Sequence, residues 1–554
     1  MSDPHGQAAS RSVSVSGPAL QRAVARLEPL LLPLALLVCA AAISGFTALR
    51  ALDPYDEGHI LLAARRIAHG EWPYADFIFP YGPGHPLLLA GLEKLLGPSL
   101  LWWRIVRVAA DAVVALLVFI LVRRAAPLPV ALVAWLIAAA GMAQPGGPNP
   151  FPVALAFGLA AFAVATAAPP RSGASAWQRP VAAGALVALA AFWRVDFGAF
   201  AAAAVLAALA LAPASRKDRV RAVGSFLLAG LGVGALLYAP FAIVAGPATL
   251  YERLVADALR YRSYWTLPFP LSFEGGLRGW PPGALAEDLK DLIGFYLPLI
   301  LVVGLVAGAC VAALRGWREG PSWRWAGLVV FGLGAAFYMR SRPDEFHTQP
   351  LLVVVAVLLA GAAVWLARNR RGFAGGVLLA LTVAVLSLLA IHGSANRLSA
   401  LFLPPELERV GLRVTDGVQA PPDEARVLRR VVPYVKARVP AGEPIFVAPR
   451  RSDLVRFDNL LFYILADRHT VLDAGATLQA LPAEQRRTIA AIERERPRIV
   501  VRWTDPLSSQ REPNRRGRPS GSRVLDAYLA RSYRRVAAFG DYRVLARRST
   551  HRMP

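Results

Sequence analysis

Residues 29–58 read PLLLPLALLVCAAAISGFTALRALDPYDEG. The part from Pro29 to Leu49 is long and apolar enough to cross the ~30 Å hydrocarbon core of a bilayer as one helix. Asp53, Asp56 and Glu57 follow directly. Acids at the edge of a membrane are costly unless they face water, a cation or a substrate. This stretch therefore predicts a first membrane span followed by a chemically active loop at the bilayer surface.

The whole chain repeats the apolar pattern of its first span. Of its 554 residues, 56% are hydrophobic, and its mean hydropathy is +0.44. Stretches of Ala, Leu and Val near the ~20 residues that a membrane helix needs recur along it. The predicted fold is an α-helical polytopic membrane protein with about eleven transmembrane helices and a small C-terminal α/β soluble domain. The predicted spans are 29–50, 101–122, 127–143, 151–168, 181–193, 197–212, 222–245, 291–314, 324–339, 349–367 and 373–392.

The segment 181–212 decides the topology. As one helix it would be about 48 Å long at ~1.5 Å per residue, which is well beyond the hydrocarbon thickness. Arg194, Val195 and Asp196 interrupt it, so two short spans joined by a tight turn are favoured. With two spans, the arginine-rich loops fall on the same side as the basic N-terminus, as the positive-inside rule requires.

This topology assigns a side of the membrane to each part of the chain. We expect a multi-pass protein of the inner (plasma) membrane, with residues 1–28 as a cytoplasmic tail that is not a cleaved signal. Residues 29–395 form the membrane domain. Its loops 51–100 and 340–348 then lie on the outer, periplasmic face, together with the domain 396–554. The unusual polar groups are therefore predicted to share one surface.

Several classes of function and site are disfavoured. The net charge is +24, but the arginines are spread over short loops and a tail, so no nucleic-acid partner is predicted. Cys39 and Cys310 both fall in apolar segments, which indicates no disulfide framework. A divalent cation such as Mg²⁺ or Mn²⁺ could bind the oxygen ligands of the outer loops, but nothing in their spacing requires one. The absence of an Asp-x-Asp pair near these loops argues against a nucleotide-sugar site built on a metal.

The first outer loop contains two predicted helical segments. Glu57 to His69 has apolar residues at helical spacing, including Ile60 and Ala64, with charged residues opposite. An aromatic and proline-rich stretch follows, and a second amphipathic segment, 87–96, leads back to the bilayer. We expect the loop to lie on the membrane as a small platform.

This loop resembles that of a known superfamily. The Asp-Glu pair after the first span, a helix, and then GEWPYADFIFPYGPGHPLLLAGLEKLLG at 70–97 are similar to the first outer loop of GT-C-fold membrane glycosyltransferases. The group that uses polyprenyl-phosphate sugars includes protein O-mannosyltransferases and lipid A aminoarabinose transferases. The resemblance extends to the many spans and the outward-facing C-terminal domain. It implies the type of reaction better than the substrate, because acidic first loops recur with different donors and acceptors.

The resemblance implies a role for the acids. Transfer of a sugar from a lipid phosphate needs a base that takes the proton of the acceptor hydroxyl while the phosphate leaves. Asp56 is the candidate base, with Glu57 as a second carboxylate. The alternative is that both acids only stabilise a helix N-terminus, where acidic side chains are worth ~0.3–1 kcal/mol each.

Cations on the same face could bind the donor phosphate. The cluster of Arg340, Arg342 and His347 resembles what relatives carry near the lipid-phosphate site, and arginine suits bidentate contacts with phosphate. Arg194 lies deep in an apolar context beside Asp196, where it could bind phosphate or form a purely structural ion pair. An ordinary solvated loop is the alternative reading of the 340–347 cluster.

The composition changes at about residue 396. Residues 445–448 and 498–503 are predicted strands, and 453–466, 483–496 and 523–532 are predicted helices. Residues 504–522, dense in Pro, Ser, Arg and Gly, are predicted to form a flexible loop. We find no nucleophile and base in this domain, and expect it to bind the acceptor or support the site.

The sequence thus predicts a glycosyltransferase that moves a sugar from a polyprenyl-phosphate-linked donor to a glycan, lipid or protein acceptor on the outer face. Membrane lipids are its other partners. One alternative is a polytopic transporter or a lipid or glycolipid flippase. Such proteins commonly show internal repeats and charges at the bilayer midplane, and neither is evident here. A non-catalytic membrane scaffold with an outer binding domain is the third reading.

Overall fold

The computed structural model describes residues 18–143, 149–167, 177–269, 322–369, 402–472 and 480–548, with scattered residues between 285 and 307 and between 375 and 400. The helices of the membrane domain are α1 Pro18–Gly45, α2 Asp56–Ala68, α3 Gly84–Leu96, α4 Leu101–Arg123, α5 Leu128–Met142, α6 Phe151–Ala165, α7 Gln178–Trp193, α8 Val195–Leu211, α9 Arg216–Ala245, α10 Ser322–Ser341 and α11 Glu345–Asn369. Short helical segments follow α9, from Pro247–Tyr251 to Arg262–Trp265.

Nine of the predicted spans coincide with described helices. The predicted spans 291–314 and 373–392 fall largely outside the described residues, so the total of eleven stays a prediction. Within the described part of the chain, three helices are long and apolar enough to cross a membrane by length and composition: Leu101–Arg123, Arg216–Ala245 and the apolar part of α11, Phe346–Val364. Four further apolar helices are shorter. A helical membrane protein is the architecture that both composition and structure support.

The segment 181–212 forms two helices, as its length predicts. The chain leaves the helical conformation at Arg194, where φ is −150° and ψ is 115°, and α8 begins at the next residue. Gly198 allows the two helices to pack closely, because a Cβ at this position would lie only 2.5 Å from the Ala191 side chain. The break places the Arg194 side chain at the end of both helices.

Helix α4 carries charges that the sequence analysis did not use. Arg107 and Asp111 form a buried ion pair across one helical turn, with Nε 2.8 Å from Oδ1. Ser44 of α1 donates a hydrogen bond of 2.7 Å to Asp111, and Arg107 donates one of 2.9 Å to the Met142 carbonyl. A charge inside a helix bundle is tolerated when it is paired and hydrogen-bonded in this way.

The C-terminal domain is built on a five-stranded mixed sheet. The described strands of the whole domain are β1 Glu408–Arg409, β2 Gln419–Ala420, β3 Pro444–Ala448, β4 His469–Thr470, β5 Ile499–Trp503, β6 Tyr533–Phe539 and β7 Tyr542–Arg547. The sheet has the order β4-β3-β5-β7-β6; β4, β3 and β5 are parallel and β7 is antiparallel to both neighbours. A separate antiparallel pair joins β1 and β2. The helices are α12 Pro422–Lys436, α13 Leu461–Ala466, α14 Pro482–Glu495 and α15 Val524–Ser532.

Most of the predicted elements of this domain are present. The two predicted strands correspond to β3 and β5, and two of the predicted helices correspond to α14 and α15. The predicted helix 453–466 is wrong over its first part, because only Leu461–Ala466 is helical. Helix α12 and the hairpin of β6 and β7 were not predicted. The exposed arginines of β6 interrupt the alternation of apolar and polar residues that would indicate a strand.

The first outer loop docks the C-terminal domain. The predicted helices of the loop are present as α2 and α3, but the buried face of α2 packs against the C-terminal domain, with Ile60 and Ala64 in a shared core. This face is therefore covered by protein, and the position of the loop on the membrane stays a prediction. The Leu461 N–H donates a 2.9 Å hydrogen bond to the Pro54 carbonyl. Gly58 permits this contact, since a Cβ there would lie 2.1 Å from the Leu461 nitrogen.

Candidate active site

Asp56 is the first residue of α2, and Asp53 orders the turn that leads into that helix. The Asp53 Oδ1 atom accepts hydrogen bonds from the backbone N–H groups of Tyr55, at 3.0 Å, and of Asp56, at 2.8 Å. Aspartate side chains commonly form such turns with the backbone that follows them. The Asp56 side chain itself is exposed to solvent. The local fold therefore fixes the backbone of Asp56 and leaves its carboxylate available.

The surroundings of Asp56 raise its pKa from 3.8 to about 7. The largest cause is the loss of water around the carboxylate, because protein surrounds the group although part of its surface stays open to solvent. The charge of Asp53 raises the pKa further, whereas Arg342 and Arg516 lower it. A carboxyl with a pKa near 7 can take up a proton at neutral pH, as a general base must. We call Asp56 and the charged groups that act on it the Asp56 site.

Glu57 has a different environment from its neighbour. Its side chain has no exposed surface. The Glu57 Oε1 accepts hydrogen bonds from Trp103 Nε1, at 2.6 Å, and from Arg104 Nη2, at 2.8 Å, and its Oε2 accepts one from the Asp53 backbone at 3.2 Å. Both oxygens are thus occupied inside the protein. We assign Glu57 to the support of the loop and carry the catalytic hypothesis forward for Asp56 alone.

Arg104 extends this support to the chain that enters the loop. Its Nη1 donates a 2.6 Å hydrogen bond to the Ala48 carbonyl, and its Nη2 donates one of 2.9 Å to the Ala51 carbonyl. Ala51 has a φ of 61°, which residues other than glycine rarely adopt. The guanidinium therefore holds an uncommon turn five residues before Asp56.

Among the predicted phosphate ligands, Arg342 is the one that belongs to the Asp56 site. It joins the membrane domain to the C-terminal domain, because its Nε donates a 3.0 Å hydrogen bond to Asp344 and its Nη2 donates one of 2.7 Å to Glu512. Arg342 also acts on Asp56 electrostatically. Its guanidinium is held in place from two sides before any substrate arrives.

His347 and Arg340 have contrasting surroundings. His347 Nδ1 lies 2.6 Å from the Asp344 Oδ1 atom, and its ring lies 4.8 Å from that of Tyr338. Burial alone would raise the pKa of Asp344, but His347 and then Arg342 outweigh burial and lower it. Arg340 is exposed and forms no hydrogen bond or ion pair with the described residues. His347 thus belongs to the Arg342 network and Arg340 does not.

Arg194 approaches the same region from the break between α7 and α8. Its guanidinium forms a two-pronged ion pair with Asp196, at 2.9 and 2.8 Å. It also lies over the rings of Tyr338, at 4.8 Å, and Tyr81, at 5.1 Å. Both Arg194 and Asp56 act on the pKa of Tyr81. Arg194 therefore neighbours the Asp56 site, although its carboxylate partner already occupies two of its donors.

The C-terminal domain contributes charged residues that the sequence analysis missed. Glu512 pairs with Arg342, with Arg456 at 2.9 Å and with Arg516 at 3.3 Å. Burial alone would raise the pKa of Glu512, but Arg516 and then Arg342 outweigh it and lower the pKa. These residues belong to the stretch 504–522 or lie near it in space. Their signal in the sequence is that Glu512 is the one acid between 506 and 522, among four arginines.

Metal-binding groups do not assemble at this site in the part of the chain that the structure describes. Among those residues, no three His, Cys, Asp or Glu side chains lie where they could hold one metal ion. Oδ1 of Asp53 and both oxygens of Asp344 already accept hydrogen bonds from the backbone, from arginine or from histidine. A divalent cation stays a prediction, and no step below is routed through one.

The fold resembles solved structures. The chain is similar to ArnT from Cupriavidus metallidurans in its crystal structure bound to undecaprenyl phosphate, with a TM-score of 0.50 and 13% identity over 95% of this chain and 99% of that chain. It is also similar to the same protein in the apo state, with a TM-score of 0.50 and 15% identity over 93% and 97% of the two chains. The chain has the GT-C fold. A weaker similarity, with a TM-score of 0.47 and 14% identity, links it to the apo form of the oligosaccharyltransferase of Archaeoglobus fulgidus over 85% of this chain and 69% of that chain.

Sequence comparison adds no closer relationship. No protein-family model matches the chain, and no curated protein matches it in sequence. The GT-C fold therefore rests on the arrangement of the helices and of the C-terminal domain. At these identities the similarity establishes the fold, and the activity must be argued from the Asp56 site.

Proposed function

We propose that this GT-C protein is a membrane glycosyltransferase that transfers a sugar from a polyprenyl-phosphate-linked donor to an acceptor hydroxyl, with Asp56 as general base. The observation that carries the proposal is the solvent-accessible Asp56 carboxylate, with a pKa of about 7, beside the guanidinium groups of Arg342 and Arg516. A base and phosphate-binding cations are the two requirements of this reaction, and they occur together here.

The reaction assigns each group a task. Asp56 accepts the proton of the acceptor hydroxyl as its oxygen forms a bond to the anomeric carbon of the sugar. The bond from that carbon to the phosphate oxygen breaks, and the electron pair leaves with the phosphate. Arg342 stabilises this developing charge with preorganised donors. Arg194, Arg340 and His347 remain proposed donor-phosphate ligands, among which His347 is linked to Arg342 through Asp344.

The placement of the site in the cell follows from the topology proposed from the sequence. The loop of Asp56 and the C-terminal domain lie on the outer face of the inner membrane, and the N-terminus lies in the cytoplasm. The donor phosphate then sits at headgroup depth while its polyprenyl tail stays in lipid. The acceptor is a glycan, a lipid or a protein of the cell envelope. The similarity to a GT-C structure with bound undecaprenyl phosphate supports the choice of donor class.

Sugar transfer by the purified protein tests this function. The full chain in detergent micelles is mixed with radiolabelled polyprenyl-phosphate sugars and cell-envelope acceptor fractions, and label in the acceptor is counted. We expect transfer, and about a 10²- to 10⁴-fold lower rate for Asp56→Asn, because the amide cannot accept the proton. Asp416→Asn is the matched control, since Asp416 is exposed and Asn tolerates its φ of 42°.

Micelles enclose no compartment, so a transporter or flippase would give no signal in this assay. Transfer that Asp56→Asn leaves at the wild-type rate would refute the base. No transfer from any tested sugar, together with movement of labelled lipid across proteoliposome membranes, would refute the enzyme and favour the transporter reading.

A further inference from the structure

The charges around Glu512 do not balance. Three arginines, Arg342, Arg456 and Arg516, approach this single carboxylate. Of these three arginines, Asp344 forms an ion pair only with Arg342 among the described contacts. Glu512 and Arg516 each keep only 5% of their side-chain surface exposed, so water screens this excess poorly. We call Glu512 and its three arginines the Glu512 cluster. It holds more positive charge than its own acids neutralise.

Arg516 is the least satisfied member of the cluster. Its Nη2 atom is buried and has no hydrogen-bond partner among the described residues. The guanidinium is held by the faces of Trp265 and Phe457, each 5.2 Å from it. Asp458 also interacts electrostatically with Arg516, and it hydrogen-bonds to none of the described residues through either of its oxygens. A buried donor without an acceptor is costly, and an incoming oxyanion would remove that cost.

The backbone fixes Arg516 at the border of the two domains. Its N–H group donates a 3.2 Å hydrogen bond to the Tyr264 carbonyl, and the Asn514 side chain donates one of 3.1 Å to the Trp265 carbonyl. Gly517 allows the loop to fold onto Glu512, because a Cβ at Gly517 would lie 2.0 Å from the Glu512 nitrogen. The stretch 504–522, predicted as a flexible loop, is irregular apart from a 3₁₀ turn at Pro506–Ser509, and its part around Arg516 is anchored.

The cluster lies within electrostatic reach of the candidate base. Arg516 and Arg342 both act on Asp56 electrostatically. An anion bound by Arg516 would therefore lie near Asp56, where it would meet guanidinium groups that arrive from two different domains. Guanidinium groups bind phosphate oxygens through paired N–H donors.

We propose that Arg516, with Arg456 and Arg342, forms an oxyanion site for a phosphate group, and that the C-terminal domain thereby supplies part of the substrate site. The phosphate belongs either to the lipid-linked donor or to a water-soluble ligand such as a phosphorylated acceptor. The inference rests on the proposed function in its choice of lipid probe. Binding needs no turnover, so a failure of sugar transfer would leave the binding result interpretable.

Binding of two probes to the full chain tests this site. Radiolabelled undecaprenyl phosphate is titrated against protein in nanodiscs, and inorganic phosphate is titrated by calorimetry. We expect Arg516→Ala to weaken binding of at least one probe by about tenfold or more, since it removes charge-assisted hydrogen bonds. Arg518→Ala is the matched control, because Arg518 is exposed on the same loop and its loss should leave both affinities unchanged.

The pattern of losses identifies the source of the phosphate. A loss with undecaprenyl phosphate assigns the site to the donor, and a loss confined to inorganic phosphate assigns it to a soluble ligand. Equal affinities of Arg516→Ala and Arg518→Ala for both probes would overturn the proposal. If Arg516→Ala does not elute as a folded species in size-exclusion chromatography, Arg516→Lys replaces it. Lysine keeps the charge but loses the planar fork, so weaker binding supports the site and unchanged binding overturns it.

Discussion

Two buried glutamates organise arginines in opposite ways. Glu57, in the membrane domain, faces one guanidinium, that of Arg104, and all its hydrogen bonds are made within the protein. Glu512, in the C-terminal domain, is shared by three arginines, of which Arg516 keeps a buried donor without a partner. A balanced pair stabilises the fold around Asp56, whereas an unbalanced cluster is suited to hold a ligand. The surplus of charge, more than burial, distinguishes the two roles.

The largest expected effect is on the unbalanced cluster. Glu512→Gln takes the shared acid from three arginines, two of which pair with no other acid among the described residues, and breaking buried pairs costs about 3–5 kcal/mol. We expect Glu57→Gln to cost less, about 1–3 kcal/mol, because burial raises the pKa of Glu57 and only Arg104 loses its partner. Thermal unfolding of both purified variants measures the difference. The same loss of stability in the two variants would erase the distinction between the regions.

The second effect concerns the contact that holds the two regions together. Gly58→Ala places a methyl group against the Leu461 backbone, and overpacking of this kind costs about 1–3 kcal/mol. Limited proteolysis of the junction between the domains should become faster, and sugar transfer should fall. Gly91→Ala on α3 is the matched control, since nothing lies within 4 Å of its added Cβ. There the substitution should be neutral or stabilise the helix by about 0.5–1 kcal/mol.

A smaller effect is the dependence of catalysis on pH, which reports on the ionisation of Asp56. The base must be ionised, so kcat/KM should rise about tenfold per pH unit below the pKa of about 7 and level off above it. Arg516→Ala should move this midpoint upward, because Arg516 lowers the pKa of Asp56. A pH profile of the wild type and the variant measures both. A flat profile between pH 6 and 8 would contradict the assignment.

The raised pKa of Asp56 also affects stability, which should fall as the pH rises, whereas catalysis should increase. The folded chain holds the proton of Asp56 more firmly than the unfolded chain, whose pKa is near 3.8. Ionisation of this group therefore lowers the free energy of unfolding as the pH rises from about 4 to about 7. Asp56→Asn should remove that slope from the stability of the protein measured across this range. An unchanged slope would show that other groups dominate it.

Local pattern was sufficient for much of the fold. Apolar length located nine described helices, and the charged interruption at Arg194 correctly separated α7 from α8. The amphipathic pattern of α2 was also right, but its apolar face has two alternative burial partners, lipid and protein. Periodicity cannot distinguish them, because both cover the same kind of surface. Only the fold of residues some 400 positions later decides that the partner is α13.

Candidate site residues could be proposed where a charged residue type in one loop carries the signal. Asp56 and Arg342 were proposed in this way, and the structure brings them within electrostatic reach of each other. The sequence favoured Asp56 as the base and kept Glu57 as a second carboxylate, because the directions of adjacent helical side chains are known only once the helix start is fixed. Arg516 was missed because a loop rich in Pro, Ser and Gly gives no periodicity from which burial can be read.

Backbone hydrogen bonds form one part of the junction between the two domains. Besides the contact of Leu461 with Pro54, the Leu100 N–H donates to the Val414 carbonyl at 2.9 Å, and the Gln419 N–H donates to the Leu49 carbonyl at 2.7 Å. Peptide groups are common to every residue except for the N–H of proline, so these contacts place little restriction on the side chains that flank them. These three backbone contacts can persist while the side chains beside them diverge. Gly58, where any side chain would collide, is the position at which divergence should stop.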